Sequence, residues 1–323
     1  MIEMAATLQN LIEKGCSITF EGNASNSFKN KLNIIAAHFS TLKGFKDATI
    51  ESINNLRSVE GHRYFRNLTP KEVAAIMAFQ KEIEIDKTIV QNFIKILTKN
   101  FVSKQIAMLS SISIESFNAN PILCTALNLK TPEEFVRYNA YQAIGRSIVT
   151  SMGFLVQDLL LYSNEYIFDG KEYEEGDKTK FDLVIDRLGE VKSFLEIKSG
   201  FNDMDAGQVK HYADEIKLVE DEGNRGYIGI TYGKKDDNTV TAGLLKTYVP
   251  NWKAKTLVGK ELWDFISENE NYHTLLIESI DNVANSTLQN VSIVQKIEDR
   301  IEELIQSFYA NYNSLSEYYE SLW

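Results

Sequence analysis

The chain is poor in cysteine and has no long apolar run, and each absence excludes a class of protein. Its 323 residues include two cysteines, Cys16 and Cys124, which lie far apart and lack the spacing of zinc ligands. This argues against a disulfide scaffold and against a zinc site, and it suits a reducing cellular interior. No uninterrupted run of about 18 apolar residues occurs, and the first segment has acids at Glu3 and Glu13 in place of a basic leader. We therefore expect neither a membrane span nor a signal peptide.

Histidine is also scarce, and its distribution excludes a second kind of metal centre. The four histidines have neither a cysteine partner nor paired ligand spacing: His38, His62, His211 and His273. A histidine-based metal site is therefore not expected.

The net charge of −11 is distributed unevenly. Residues 1–130 carry 15 basic and 11 acidic side chains, a net of +4, whereas the remaining 193 carry 19 and 34, a net of −15. Local fields decide whether phosphate is bound. The acidic total thus leaves a basic groove possible but provides no positive evidence for one.

Apolar spacing divides the chain into a helical part and a mixed part. Residues 1–130 have helical spacing almost throughout, with a helix start at Pro70 and one clear strand candidate, Ser17 to Gly22. We predict a mostly helical N-terminal region, 1–130, that serves as a dimerisation or DNA-binding arm. Residues 131–323 form the second predicted domain, which ends in a long helical tail from Thr274 to Leu322.

The second domain begins with a predicted helix and continues with strand-like runs. Thr131 and Glu134 have the spacing of a capping box, and the helix they begin is expected to break near Gly145. Four strand-like runs follow: FDLVID, SFLEIKS, GYIGITYG and GLLKTYV. A helical segment, DAGQVKHYADEIKLVEDEG, separates the second run from the third. This order predicts an α/β fold with a mixed sheet and a crossover helix.

Charged residues interrupt two of these strands where a buried strand normally excludes them. Glu196 and Lys198 are two residues apart on one strand, so their side chains share a face. A hairpin can bring Asp182 of the preceding strand beside Glu196. Two carboxylates and the main-chain carbonyl of Ile197 form an all-oxygen site suited to Mg²⁺, and Lys198 can orient or deprotonate a water and contact a phosphate. Asp186 is the alternative acid, nearer the far end of its strand.

This order, an aspartate followed by Glu-x-Lys on the next strand and then by a helix, resembles the PD-(D/E)xK nuclease superfamily. Phe181 stands where the motif name has proline. The resemblance implies a restriction-endonuclease-like mixed sheet flanked by helices, with Asp182, Glu196 and Lys198 catalytic and with Asp182, Glu196 and Ile197 binding Mg²⁺.

Two further elements extend the resemblance. Gln208 and Tyr212 on the following helix look like the Q-xxx-Y element of RecB-like nucleases, where it lies along DNA, although a structural role fits the same spacing. The helix before the strands is similar to one that often ends in a glutamate in type II restriction endonucleases. Here Gln157 and Asp158 occupy that zone.

The segments GYIGITYG and VGKELWDFISENE, with the helix after them, resemble the restriction enzymes that cut interrupted GG/CC palindromes. That likeness implies a type II restriction endonuclease acting on double-stranded DNA in the bacterial cytoplasm, as a homodimer, alongside a cognate DNA methyltransferase. Two alternatives remain. A RecB-like repair or phage exonuclease would digest from DNA ends, and a non-catalytic DNA-binding protein would retain only the fold.

Overall fold

The computed structural model describes residues 6–56, 68–173, 180–200, 204–235 and 239–322. Its helices are α1 (Leu8–Thr19), α2 (Asn26–Ala36), α3 (Leu42–Asp47), α4 (Ile50–Asn54), α5 (Pro70–Glu82), α6 (Ile89–Ser111), α7 (Pro121–Ala126), α8 (Pro132–Leu161), α9 (Ala206–Asp221), α10 (Val240–Tyr248), α11 (Trp252–Lys255), α12 (Lys260–Ser267), α13 (Tyr272–Thr287), α14 (Ile293–Asn311) and α15 (Leu315–Glu320). Its strands are β1 (Ile167–Asp169), β2 (Leu183–Ile185), β3 (Ser193–Lys198), β4 (Arg225–Ile230) and β5 (Thr256–Val258).

The N-terminal region is helical, as the sequence predicts. Helix α5 begins at Pro70, and Thr69 and Glu72 form a capping box at its start. The strand predicted at Ser17 to Gly22 is wrong, because Ser17 to Thr19 are the last turn of α1. The buried residues of α1 follow a period of three to four, which the short SITFEG run does not reveal: Leu11, Ile12, Gly15 and Cys16.

Helix α8 begins where the capping box predicts. The Thr131 hydroxyl accepts from the Glu134 N–H at 3.2 Å, and a Glu134 carboxylate oxygen accepts from the Thr131 N–H at 3.1 Å. The predicted break near Gly145 is wrong, since α8 is continuous over 30 residues. One glycine costs a helix only about 1 kcal/mol, which a helix of this length tolerates. Among the described helices, α8 alone is long and apolar enough to cross a membrane, although core helices of soluble proteins meet the same criterion.

Five strands form one mixed sheet in the order β1-β2-β3-β4-β5. The first three strands are antiparallel, and β3, β4 and β5 are parallel. Helix α9 connects β3 to β4, as predicted, so the fold is α/β with a mixed sheet flanked by helices. Strands β1 and β5 were missed by the sequence analysis because, unlike the three-residue β2 in the run FDLVID, they are not part of a longer strand-like run.

The fourth predicted strand, GLLKTYV at positions 243–249, is wrong. It lies in α10, whose N-cap Thr239 accepts from the Ala242 N–H. The buried residues Thr241, Ala242 and Leu245 follow helical spacing, and the β-branched and aromatic residues of the segment do not override it.

Two glycines in β4 allow helices to pack closely on both faces of the sheet. A Cβ at Gly226 would lie 3.0 Å from the Ile216 Cα in α9, and one at Gly229 would lie 2.9 Å from Leu262 in α12. Residues 226 and 229 point to opposite faces. Helix α9 therefore covers the face that carries Phe194, Ile228 and Ile230.

The chain forms two compact units whose boundaries fall within α6, α8 and α13. One unit contains residues 1–97 and 156–280, and the other contains 98–155 and 281–323. The domain boundary proposed at residue 130 stays a prediction.

The predicted helical tail is three helices, α13 to α15. In the second unit, the apolar stripe of α14 packs against α8, where Ile301 and Phe308 contact a cluster that contains Phe135. This stripe is therefore covered by the same chain.

Candidate active site

The β2–β3 hairpin brings Asp182 close to Glu196. Leu183 pairs with Leu195, and the Asp182 N–H also donates to the Leu195 carbonyl at 3.0 Å, so Asp182 and Leu183 both lie opposite Leu195, as in a β-bulge. Such a bulge re-aims a side chain, and here the Asp182 carboxylate turns toward β3. The Ile197 N–H donates to Oδ2 of Asp182 at 3.0 Å and thereby fixes that carboxylate at the end of the hairpin.

Glu196 and Lys198 lie side by side on the face of β3 that α9 covers. Nζ of Lys198 is 2.9 Å from Oε1 of Glu196, and the two side chains are only 19% and 10% exposed. Because both charges are largely removed from water, they must pair with each other or with another charged group. This juxtaposition is what the spacing of the two residues predicts.

Tyr212 and Gln208 both lie on α9, but only Tyr212 contacts the charged pair. Nζ of Lys198 is 5.0 Å from the centroid of the buried Tyr212 ring, and the Tyr212 hydroxyl hydrogen-bonds with both Lys198 and Glu196. Gln208 instead belongs to the capping box of α9, where its Oε1 accepts from the Asp205 N–H at 3.1 Å. Tyr212 therefore joins the charged pair, and Gln208 stabilises the start of the helix.

The environment shifts the pKa values of both charged groups. Burial raises the pKa of the Glu196 carboxyl, and the negative charge of Asp182 raises it further, against the lowering effect of Lys198 and Tyr212. Burial alone would lower the pKa of Lys198, but hydrogen bonds to Tyr212 and Glu196 outweigh burial and raise it to about 12. Lys198 is therefore a cation at neutral pH.

The oxygen atoms at this end of the hairpin are of the chemical kind that magnesium prefers as ligands. In β3 the Leu195 carbonyl and the Ile197 N–H face β2, whereas the Lys198 carbonyl accepts from Thr231 beyond β4. By this alternation the Ile197 carbonyl also points toward the Asp182 side of the strand. Two carboxylates and one carbonyl leave several positions for the waters that Mg²⁺ retains. Across the described residues, no group of three or more His, Cys, Asp or Glu side chains could hold a metal, so a metal here would depend on water ligands.

The other acids considered in the sequence lie in separate interactions. Asp186 is opposite Lys192 at the far end of the hairpin, where it accepts from the Tyr173 hydroxyl and lies 3.7 Å from Nζ of Lys192. Asp158, near the end of α8, pairs with Lys14 of α1 at 3.0 Å. Neither joins Asp182 and Glu196.

Of the four histidines, His62 lies outside the described residues.

One residue beside the site was missed by the sequence analysis. Nζ of Lys171 lies 3.9 Å from Oδ1 of Asp182, and its side chain is 68% exposed. Lys171 follows β1, which was not predicted, and no known motif relates the position of Lys171 to Glu196 and Lys198. Only the pairing of β1 with β2 brings it to this edge.

Comparison with family models identifies a match to the type II restriction endonuclease EcoO109I over residues 88–287. The match spans more than half of the chain and includes all five strands and every predicted site residue. Comparison with curated protein sequences finds no match. The chain therefore belongs to the EcoO109I family of type II restriction endonucleases.

Proposed function

We propose that this protein is a Mg²⁺-dependent, sequence-specific endonuclease that hydrolyses phosphodiester bonds in double-stranded DNA. The carboxylates of Asp182 and Glu196 and the carbonyl of Ile197 would hold the ion. When bound there, Mg²⁺ would activate a water and offset the negative charge that develops on the phosphate. The proposal is carried by one observation. Asp182, which precedes β2, lies at the end of one hairpin beside Glu196 and Lys198 of β3.

Lys198 supplies the positive charge in this proposal. Its raised pKa keeps it protonated at neutral pH while Glu196 and Tyr212 are its partners. This supports the role of a donor that orients the attacking water and contacts the scissile phosphate, rather than that of a general base, which needs a pKa near the working pH. The buried hydroxyl of Tyr212 helps to hold the ammonium in place.

A digest of plasmid and phage DNA with Mg²⁺ tests the proposal. We expect discrete fragments from covalently closed plasmid, from phage DNA and from linearised plasmid, and no cleavage when Mg²⁺ is chelated. Absence of cleavage under all conditions would support a non-catalytic DNA-binding protein instead.

A RecB-like exonuclease is the second candidate. Tyr212, which with Gln208 resembles the Q-xxx-Y element of those nucleases, contacts Lys198 in the site. Such an enzyme would leave closed circular plasmid intact and degrade linear DNA to a smear. The involvement of Gln208 in the capping box of α9 favours a structural explanation for half of that element. The same digest therefore separates the two nucleases.

The proposed biological setting follows from the family. A sequence-specific endonuclease would act in the bacterial cytoplasm beside a DNA methyltransferase that protects the host sequence. The net charge of +4 on residues 1–130 supports their proposed role as an arm that approaches DNA.

We further propose that the enzyme is a homodimer, because a two-fold protein matches a two-fold DNA site. The described part of the second unit offers one face for this contact, on α8. Val149 is 73% exposed and Met152, three residues along the same face, is 42% exposed there. Arg146 is at the midpoint of the 30-residue helix, and an added Cβ at neighbouring Gly145 would meet open space. Two copies of α8 can therefore cross antiparallel about a central two-fold axis with close backbone approach.

A further inference from the structure

Lys171 occupies a position that the proposed reaction can use and that no motif marks. Its ammonium lies 3.9 Å from Oδ1 of Asp182, while the Ile197 N–H donates to the other carboxylate oxygen, Oδ2. The two oxygens of Asp182 thus face different donors. One is a fixed backbone group, and the other is the end of a long side chain.

The backbone of Lys171 is held in place, whereas its side chain extends into water. The Lys171 N–H donates to Oδ1 of Asp169 at 2.8 Å, and the Glu172 N–H donates to the Asp169 carbonyl at 3.1 Å. The Gly170 N–H donates to the Asp182 carbonyl at 3.0 Å, which fastens the turn to the hairpin. The turn therefore delivers the Lys171 side chain to the same edge as Asp182.

The ion pair between Lys171 and Asp182 is weak enough for Lys171 to leave it and bind another anion. At 3.9 Å and with 68% of the lysine side chain exposed, it is a loose surface ion pair. Lys198, by contrast, is held by Glu196 at 2.9 Å and by the Tyr212 ring. Of these two cations beside the carboxylates, Lys171 is the one that can reach outward to a ligand.

We infer that Lys171 binds a backbone phosphate of the DNA strand beside the scissile phosphate and is a positioning residue for cleavage. The inference rests on the proposed function. If the charge of Asp182 is neutralised by a divalent cation, the Lys171 ammonium loses its anionic partner, and a DNA phosphate at the site is the anion that can replace it. The negative charge of Asp182 would otherwise repel that phosphate.

The salt dependence of DNA binding distinguishes a phosphate contact from a structural role. Affinity for a duplex carrying the sequence that the wild type cuts is measured in Ca²⁺ over a series of salt concentrations, for the wild type, Lys171→Gln and Lys171→Arg. Each phosphate contact contributes about −0.9 to the slope of log affinity against log salt. We expect Lys171→Gln to make the slope less negative by about one and to weaken binding about five- to tenfold at 0.1 M salt. Lys171→Arg should restore the wild-type slope.

Lys192→Gln is the matched control. Lys192 lies 3.7 Å from Asp186 at the opposite end of the same hairpin, so its removal also breaks a lysine–aspartate pair. The control should lower the melting temperature, because Lys192 is more buried and packs over the Tyr173 ring, but it should leave the salt slope unchanged. An unchanged slope for Lys171→Gln in a protein that binds and cleaves DNA would overturn this inference alone. A wild type that neither binds nor cleaves DNA would overturn the proposed function as well.

Discussion

Glu196 and Lys198 occupy strand positions where charge is costly, and their proposed role in catalysis explains that cost. Both side chains are largely buried, and each is stabilised mainly by the other and by Tyr212. Removing a buried ion partner leaves an uncompensated charge, so single substitutions can affect folding as well as chemistry. Tests of these residues therefore need a folding readout beside the rate.

Lys198→Ala and Glu196→Ala are each expected to lower the cleavage rate by more than about a hundredfold, equivalent to ~2.7 kcal/mol in the barrier. The reason is that one removes the cation at the phosphate and the other removes a metal ligand. The measurement is single-turnover cleavage, with circular dichroism and Ca²⁺-supported DNA binding by Lys198→Ala as controls for folding. A folded variant that cleaves within about tenfold of the wild type would contradict the assignment of that residue.

The pKa of Glu196 predicts how Mg²⁺ binding depends on pH. The native pKa lies above the ordinary glutamate value, so the native protein holds this proton more tightly than the unfolded chain does. In the metal-free protein, the contribution of Glu196 to stability is therefore present below its unfolded pKa and lost as pH rises through the native pKa. Metal binding has the opposite dependence, because the ion needs the ionised carboxylate.

We expect the increase in melting temperature caused by Mg²⁺ to be full above the native pKa of Glu196 and to disappear as pH falls through it. Thermal unfolding with and without Mg²⁺, over a pH series in which the protein remains folded, measures this dependence. In Glu196→Gln the increase should be small at every pH. Equal stabilisation of this variant and the wild type by Mg²⁺ would exclude Glu196 as a ligand.

At the scale of the element, two residues of α9 have different roles: Gln208 caps the start of the helix, and Tyr212 contacts the charged pair on β3. Its start is fixed by the reciprocal bonds of Asp205 and Gln208, and its middle places Tyr212 against Lys198. Close contact between Gly226 and Ile216 sets the distance of this helix from the sheet. The helix thereby positions an aromatic ring over a strand residue that lies 14 positions earlier in the chain.

Gln208→Ala and Asp205→Ala should each lower the free energy of unfolding by about 1 kcal/mol, because each breaks the same capping box. Denaturant unfolding measures this change. Gln208→Ala should leave the affinity for DNA in Ca²⁺ and the salt slope unaltered, with Asp205→Ala as the matched variant. If Gln208→Ala weakens DNA binding while Asp205→Ala does not, Gln208 contacts DNA as well as capping the helix.

At the scale of the whole molecule, the apolar stripes of the C-terminal tail and of the N-terminal helices are mostly buried within the chain. Ile301, Leu304 and Phe308 of α14 lie in the core of the second unit, and Phe28, Phe45 and Phe79 of the N-terminal helices are fully buried. The exposed face of α8 remains available for association. We therefore propose the dimer contact on α8 rather than in the N-terminal region that the sequence suggests.

We expect sedimentation equilibrium at micromolar protein, without DNA, to give twice the 36.8 kDa mass of the chain. Val149→Asp should dissociate this dimer, because two-fold pairing would bury two new carboxylates at one contact. It should also reduce double-strand cleavage while leaving the fold intact.

Val240→Asp is the control for this substitution. Val240 is 81% exposed on α10, so the same charge is introduced on a different surface, and the mass should stay that of the dimer. A wild type that is monomeric, or a dimer that survives Val149→Asp, would contradict this assembly.

The sequence by itself determined the elements whose pattern is complete within a short segment. The capping boxes at Thr69, Thr131 and Asp205 depend on residues three apart, and α9 has enough turns to display its period. The alternation of β3 likewise places Glu196 and Lys198 on one face without any knowledge of the neighbouring strands. Such signals can be recognised because every interaction they describe is local.

Only the tertiary structure decided the features that join distant segments. Strands β1 and β5 lie outside any longer strand-like run and exist because β2 and β4 offer them backbone partners. The approach of Lys171 to Asp182, and the covering of the α14 stripe by α8, depend on which surfaces meet after folding. Burial, hydrogen bonds and neighbouring charges likewise shift the pKa values of Glu196 and Lys198 from the ordinary values of their residue types. The sequence therefore identifies the candidate residues of the proposed site, and tertiary packing determines which of them lie close together.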